Sequence, residues 1–196
     1  MPLIVISDIF GKTTALDDLC ADLGYPVQII DPYDGTYMDF ENQAQAYDAF
    51  MDNMGVTPYA RLLASFLEKA LSPATLIGFS VGAAAAWLVS GTDISDKADR
   101  AVCFYGSRIR HHLDISPVIP VDAIFPAHEP GFDVQQLTGQ LSGKKKVTVH
   151  QTGYLHGFMN RVSENFDRPG YDHYMDWLRR AIASKALTAG TSKHGC

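Results

Sequence analysis

The five residues Gly78-Phe79-Ser80-Val81-Gly82 restrict what this chain can fold into more than any other feature. An apolar run, Ala74-Thr75-Leu76-Ile77, precedes them, and a small-residue run, Ala83-Ala84-Ala85-Ala86-Trp87, follows. A strand, a G-x-S-x-G turn and a helix in that order make a nucleophile elbow. The turn closes only if the residues two before and two after the serine carry no side chain, because Cβ atoms there would collide. The serine itself is held in a strained backbone conformation with its hydroxyl pushed out of the sheet. The helix that begins at the turn aims its N–H groups at the same spot, where they can meet a developing negative charge.

The remaining composition sets limits. A chain of 196 residues is most simply one domain, large enough to bury roughly 70% of its unfolded surface. We expect that domain over residues 3–185 and a polar, flexible tail over 186–196. No apolar stretch approaches the roughly 18 residues of a spanning helix, so no membrane insertion is expected. Met1-Pro2-Leu3-Ile4-Val5-Ile6 lacks a basic leader and reads as a first core strand, not a signal peptide. Net charge is −6, and the basic run Lys144-Lys145-Lys146 reads as a solvated loop instead of a nucleic-acid surface. Cys20, Cys103 and Cys196 are odd in number and contain no C-x-x-C. Cys103 reads as a small buried hydrophobe, and a reducing cytoplasm is the expected compartment.

Short apolar runs alternate with longer amphipathic ones, the pattern of an α/β chain with a parallel sheet. Strands are expected at 3–7, 27–30, 75–79, 101–105, 121–125 and 146–150. Helices are expected at 13–23, 42–54, 58–71, 81–90 and 132–141, with a last one from about 171 to 183. Thr57-Pro58 reads as a helix cap with proline at the first helical position. Six mostly parallel strands are expected, with helices on both faces.

A serine nucleophile needs a base, and the base needs an orienting acid. In a fold built on such an elbow they should follow in the chain order Ser, acid, His, each on a loop at the same sheet edge. His156, in Gly153-Tyr154-Leu155-His156-Gly157-Phe158, lies after the last strand and ahead of the final helix. Alone it would read as an ordinary surface histidine; with Ser80 upstream it reads as the base. Glu129 and Asp133 both follow the strand at 121–125. Glu129 is preferred because it lies nearer the strand's C-terminal end, and Asp133 has the alternative role of a first-turn acid. The two oxyanion donors fall to the backbone N–H groups of Val81 and Ile9, the latter in the Ser7-Asp8-Ile9-Phe10-Gly11 loop.

Other features compete. Phe10-Gly11-Lys12-Thr13 resembles the end of a phosphate loop, but Ile6 stands where its first glycine must be. His111-His112 with Asp114 reads as loop surface, not a metal site. Tyr33, Tyr37, Tyr154 and Phe158 fall in loops at the active edge, where they could line a substrate pocket or simply pack.

With Asp8-Ile9-Phe10-Gly11, the elbow, Cys103-Phe104-Tyr105-Gly106 and His156-Gly157-Phe158, the chain resembles the dienelactone hydrolase family of the α/β-hydrolases from about residue 3 to 183. The resemblance implies a compact α/β-hydrolase fold, its strands in the order 2-1-3-4-5-6, with Ser80 as nucleophile, His156 as base and Glu129 as acid. It also puts an acidic residue and an oxyanion donor on Asp8 and Ile9. Serine replaces the cysteine of founding members, and Glu129 stands where aspartate is typical. Arg61 is in the region, 38–72, where the family carries a substrate-carboxylate arginine, but no motif marks it. The expectation is hydrolysis of a small carboxylic ester, lactone or thioester through an acyl-enzyme, with no metal, organic cofactor or nucleic-acid partner. The alternative is a catalytically inactive binding protein on the same fold. A nucleotide-binding reading rests on Gly11-Lys12-Thr13 alone.

Overall fold

The structure is a computed structural model that describes residues 2–94 and 96–191, with side chains as far as residue 184. Strands β1 (Leu3–Ile6), β2 (Val27–Ile30), β3 (Ala74–Phe79), β4 (Ala98–Phe104), β5 (Val121–Phe125) and β6 (Val147–Gln151) form a single sheet. Its order is β2-β1-β3-β4-β5-β6 and every neighbouring pair is parallel. Six α-helices accompany it: α1 (Thr14–Asp22), α2 (Gln43–Asn53), α3 (Val56–Glu68), α4 (Val81–Ser90), α5 (Val134–Ser142) and α6 (Arg168–Thr191). A 3-10 helix, Ser107–His111, follows β4.

Successive strand side chains point to opposite faces, and here both faces are apolar. Ile4, Ile6, Leu76, Ala101, Cys103, Val121, Ala123 and Phe125 pack on the side carrying α2, α3, α4 and α5. Leu3, Val5, Ile77, Phe79, Val102, Phe104 and Ile124 pack on the side of α1 and α6. That is why β1 and the Ala101–Phe104 end of β4 read as unbroken apolar runs and not as alternation. Cys103 is buried, as expected. Among the described residues, no helix is long and apolar enough to cross a membrane.

Three helix starts differ from expectation by two residues or more: α5 begins at Val134 behind its Asp133 cap instead of at residue 132, and α3 and α6 start early. α3 begins at Val56 behind an N-cap at Gly55, with no side-chain cap, so Thr57 is not the cap and Pro58 lies inside the first turn. Proline is tolerated there because the first N–H groups of a helix have no intrahelical acceptor. α6 begins at Arg168, ahead of Tyr171, because the Asp167 carboxylate accepts the Gly170 N–H at 2.8 Å. It runs on to Thr191, past the end anticipated near Ala183 and into the expected tail. Residues 192–196, with Cys196, lie outside the described residues.

Chain order reverses after β2, so the loops leaving β1 and β3 diverge and open a crevice at the sheet's C-terminal edge. The opposite, far side of the sheet is braced by charge. Asp122 on β5 accepts from Arg100 Nε on β4 at 2.6 Å and lies 3.2 Å from His150 Nε2 on β6. The Arg100 guanidinium also covers the Trp177 ring of α6, at 5.5 Å. Burial pushes the Asp122 carboxyl up, but the His150 and Arg100 contacts outweigh it and hold it below the usual range. A carboxyl lowered by folding adds stability above its unfolded value and loses it as pH falls through its folded one. Asp122→Asn should therefore cost about 1–3 kcal/mol at neutral pH in urea unfolding. The gap to the parent should narrow as pH drops below about 4.

Candidate active site

Ser80 ends β3 and precedes α4 with φ 51° and ψ −110°. A non-glycine residue held there costs about 1–3 kcal/mol. Its surroundings leave no alternative. A Cβ on Gly78 would come 2.6 Å from Gly82 O, and one on Gly82 would come 2.4 Å from both Ile6 O and Ser7 O. The second glycine is thus dictated by β1 as much as by the turn, since α4 passes directly over the end of that strand. The Ser80 N–H donates to Phe104 O at 2.9 Å, which ties the elbow to β4.

His156 stands in the loop between β6 and α6, with Phe158 as its anchor. Phe158 is fully buried against Phe104, Tyr105 and Tyr174. The Asn165 amide donates to His156 O at 3.0 Å and holds the backbone from the other side. The imidazole reaches both partners: Nε2 lies 3.0 Å from Ser80 Oγ and Nδ1 lies 2.5 Å from Glu129 Oε1. The tautomer that satisfies both carries its proton on Nδ1, leaving Nε2 to accept from the serine hydroxyl. Glu129 is in the loop after β5, its side chain nearly buried. The Ala127 N–H of that loop donates to Tyr154 O at 2.7 Å, fastening the acid's loop to the histidine's.

Asp133 is turned elsewhere. Its carboxylate caps α5, accepting from the Gln135 and Gln136 N–H groups at 2.8 and 3.3 Å. Ile9 and Val81 border the same cavity of about 320 Å³ as Ser80, Glu129 and His156. Val81 is the first residue of α4, so its N–H has no intrahelical acceptor. Asp8 shapes the loop that carries Ile9. Its Oδ1 accepts the Phe10 N–H at 3.0 Å and its Oδ2 accepts from Asn160 Nδ2 at 2.7 Å. Burial pushes the Asp8 carboxyl up, against those two bonds and the nearby His156, which draw it down.

Tyr33, Tyr37, Tyr154 and Phe158 do not line this cavity; its aromatic walls are Tyr47 of α2 and Phe132. Tyr33 instead donates to Ile9 O at 2.8 Å, Tyr37 bonds to Asp17, and Tyr154 and Phe158 stack on one another at 5.0 Å. Arg61 lies on the exposed side of α3, away from the cavity. Sequence reasoning missed Ser107, Arg108 and Arg110, which also line it. The available signal was positional: β4 lies between the strands carrying Ser80 and Glu129, so whatever leaves its end must border both. Among the described residues no cluster of histidine, cysteine and carboxylate side chains is arranged to hold a metal ion.

A parallel sheet in this order with an elbow serine after β3 defines the α/β-hydrolase class. The chain belongs to the dienelactone hydrolase family, whose sequence model matches residues 2–181. Among curated proteins, the uncharacterized protein YczH of Bacillus subtilis is 37% identical over 119 residues, which is 60% of this chain and 57% of that protein. Solved structures share the fold at low identity. One from Klebsiella pneumoniae, assigned provisionally as a dienelactone hydrolase, is 17% identical with TM-score 0.70, covering 93% of this chain and 85% of that one. A dienelactone hydrolase-like promiscuous phosphotriesterase from metagenomic libraries is 14% identical with TM-score 0.65, over the same shares of the two chains.

The elbow gives a contrast between two glycines. Gly82→Ala should destabilise the protein by about 3 kcal/mol, because only backbone can move aside. Gly139→Ala, on α5 with nothing near its added Cβ, should be neutral or stabilise by about 0.5–1 kcal/mol. Denaturant titration of both variants checks the pair.

Proposed function

We propose that the protein is a serine hydrolase of small carboxylic esters, lactones or thioesters. The observation that carries this reading is the unbroken relay from Ser80 Oγ through His156 to Glu129, at 3.0 and 2.5 Å. Ser80 Oγ attacks the carbonyl carbon while its proton passes to His156 Nε2. Glu129 holds the ring and stabilises the imidazolium, and the Ile9 and Val81 N–H groups receive the oxyanion. Collapse of the tetrahedral intermediate breaks the bond to the leaving alkoxide or thiolate, which takes the proton from His156. Water then attacks the acyl-enzyme with His156 again as base, releasing the acid and restoring Ser80. Every proton is carried by the histidine, so these residues complete the cycle themselves.

The cavity of about 320 Å³ is at the small end of ligand pockets, which favours short acyl groups. Ser80→Ala should lower hydrolysis of p-nitrophenyl acetate by at least about 10³-fold with unchanged thermal stability. A fluorophosphonate probe should label the parent at Ser80. A parent that neither hydrolyses the ester nor takes up the probe belongs to the inactive binding proteins on this fold, and the reading is lost. Glu129→Gln should cut kcat by about 10³-fold. Asp133→Asn should leave the rate intact, since asparagine caps a helix as well as aspartate does. The reverse ranking would move the acid's role to Asp133.

A further inference from the structure

Ser107 is the unexplained polar group closest to the relay. It is the first residue of the 3-10 helix after β4, and its hydroxyl donates to Glu129 Oε1, the same oxygen that faces His156. Its Oγ is also 3.2 Å from His156 Nδ1. The other acceptor within reach, Tyr105 O, is at 3.5 Å, the limit of bonding distance. One carboxylate oxygen therefore receives two donors, the ring N–H and the Ser107 O–H.

The backbone of Ser107 is built to hold it there. Tyr105 turns the chain out of β4 with φ 41°, and the Ser107 N–H donates back to Tyr105 O at 2.8 Å. Arg110 Nη1 donates to Ser107 O at 2.6 Å while its guanidinium covers the Phe132 ring at 4.7 Å. The Tyr105 ring itself lies 4.9 Å from the imidazole. A serine merely filling space would not need its carbonyl clamped by an arginine and its hydroxyl aimed between two ionisable groups.

We infer that Ser107 is a positioning residue for the relay, fixing the Glu129 carboxylate so that its Oε1 stays on the His156 Nδ1–H. A glutamate has one more rotatable bond than an aspartate, so its carboxylate can swing off the ring unless a second donor pins it. The hydroxyl of Ser107 supplies that donor from a third strand end. It touches no reacting atom and acts through Glu129 and His156. This inference rests on the ester-hydrolase reading and deepens it.

The test is steady-state kinetics on p-nitrophenyl acetate. Ser107→Ala should lower kcat by about 10- to 30-fold, the loss of one hydrogen bond to a charged group, with KM within about twofold of the parent. In a Glu129→Gln background the same substitution should cost less than about twofold more, since both changes act on the ring through one carboxyl. If Ser107→Ala does not fold, Ser107→Cys keeps the volume with a weaker donor, and the same fall in kcat at constant KM is expected of it. An active parent with an equally active Ser107 variant, or fully additive losses in the double mutant, overturns the inference alone. A parent inert toward ester and fluorophosphonate overturns the ester-hydrolase reading and this inference with it.

Discussion

The backbone of α4 runs against the end of β1 with no atom to spare, and the candidate site follows from that contact. Gly82 must be bare because Ile6 O and Ser7 O occupy the space a Cβ would need. Because the helix cannot retreat, the turn before it cannot relax, and Ser80 stays at a positive φ with its hydroxyl outside the sheet. The same contact fixes the distance between the first turn of α4 and the loop leaving β1. Val81 and Ile9 therefore face one cavity. A local strain of about 1–3 kcal/mol is sustained by burial of the whole alanine face of α4.

The other partners are held by loops, which are mobile unless tied, and here each is tied to another. The acid's loop donates a backbone hydrogen bond to the histidine's loop through Ala127 and Tyr154. The histidine's loop in turn reaches the first-strand loop through Asn160 and Asp8. Phe158 sinks the middle of this arrangement into the core between Phe104 and Tyr174. Three strand ends, those of β5, β6 and β1, are thus joined across the crevice by side-chain and backbone bonds, independent of the sheet below.

How much of this a sequence discloses depends on how local the constraint is. The elbow was legible because a tight turn between strand and helix demands glycines at two fixed spacings. The parallel strands followed from apolar runs alternating with helices, their order from the family resemblance, and His156 from its place after the last strand. Glu129 and Asp133 were not separable by spacing alone; what divides them is that Asp133 spends its oxygens on the N–H groups of α5. Ser107 left no mark because a lone serine after a strand has no periodic or compositional signature. Tyr47 and Phe132 escaped notice for the same reason, as the loops and helix faces that bring them to the cavity are set by tertiary packing. The early start of α6 depended on one side chain, Asp167, accepting one N–H.

Two carboxylates approach His156, and their different surroundings keep their tasks apart. Glu129 presents an oxygen to the ring, with Ser107 as its second donor. Asp8 is buried, and its two oxygens are engaged by Phe10 and Asn160. Burial raises the Asp8 carboxyl above its ordinary value; the two donors and the imidazole draw it back only in part. Rotating the Asp8 carboxylate would break its bond to the Phe10 N–H and with it the turn that carries Ile9. The loop that carries Ile9 and the imidazole of His156 are therefore held by separate acids.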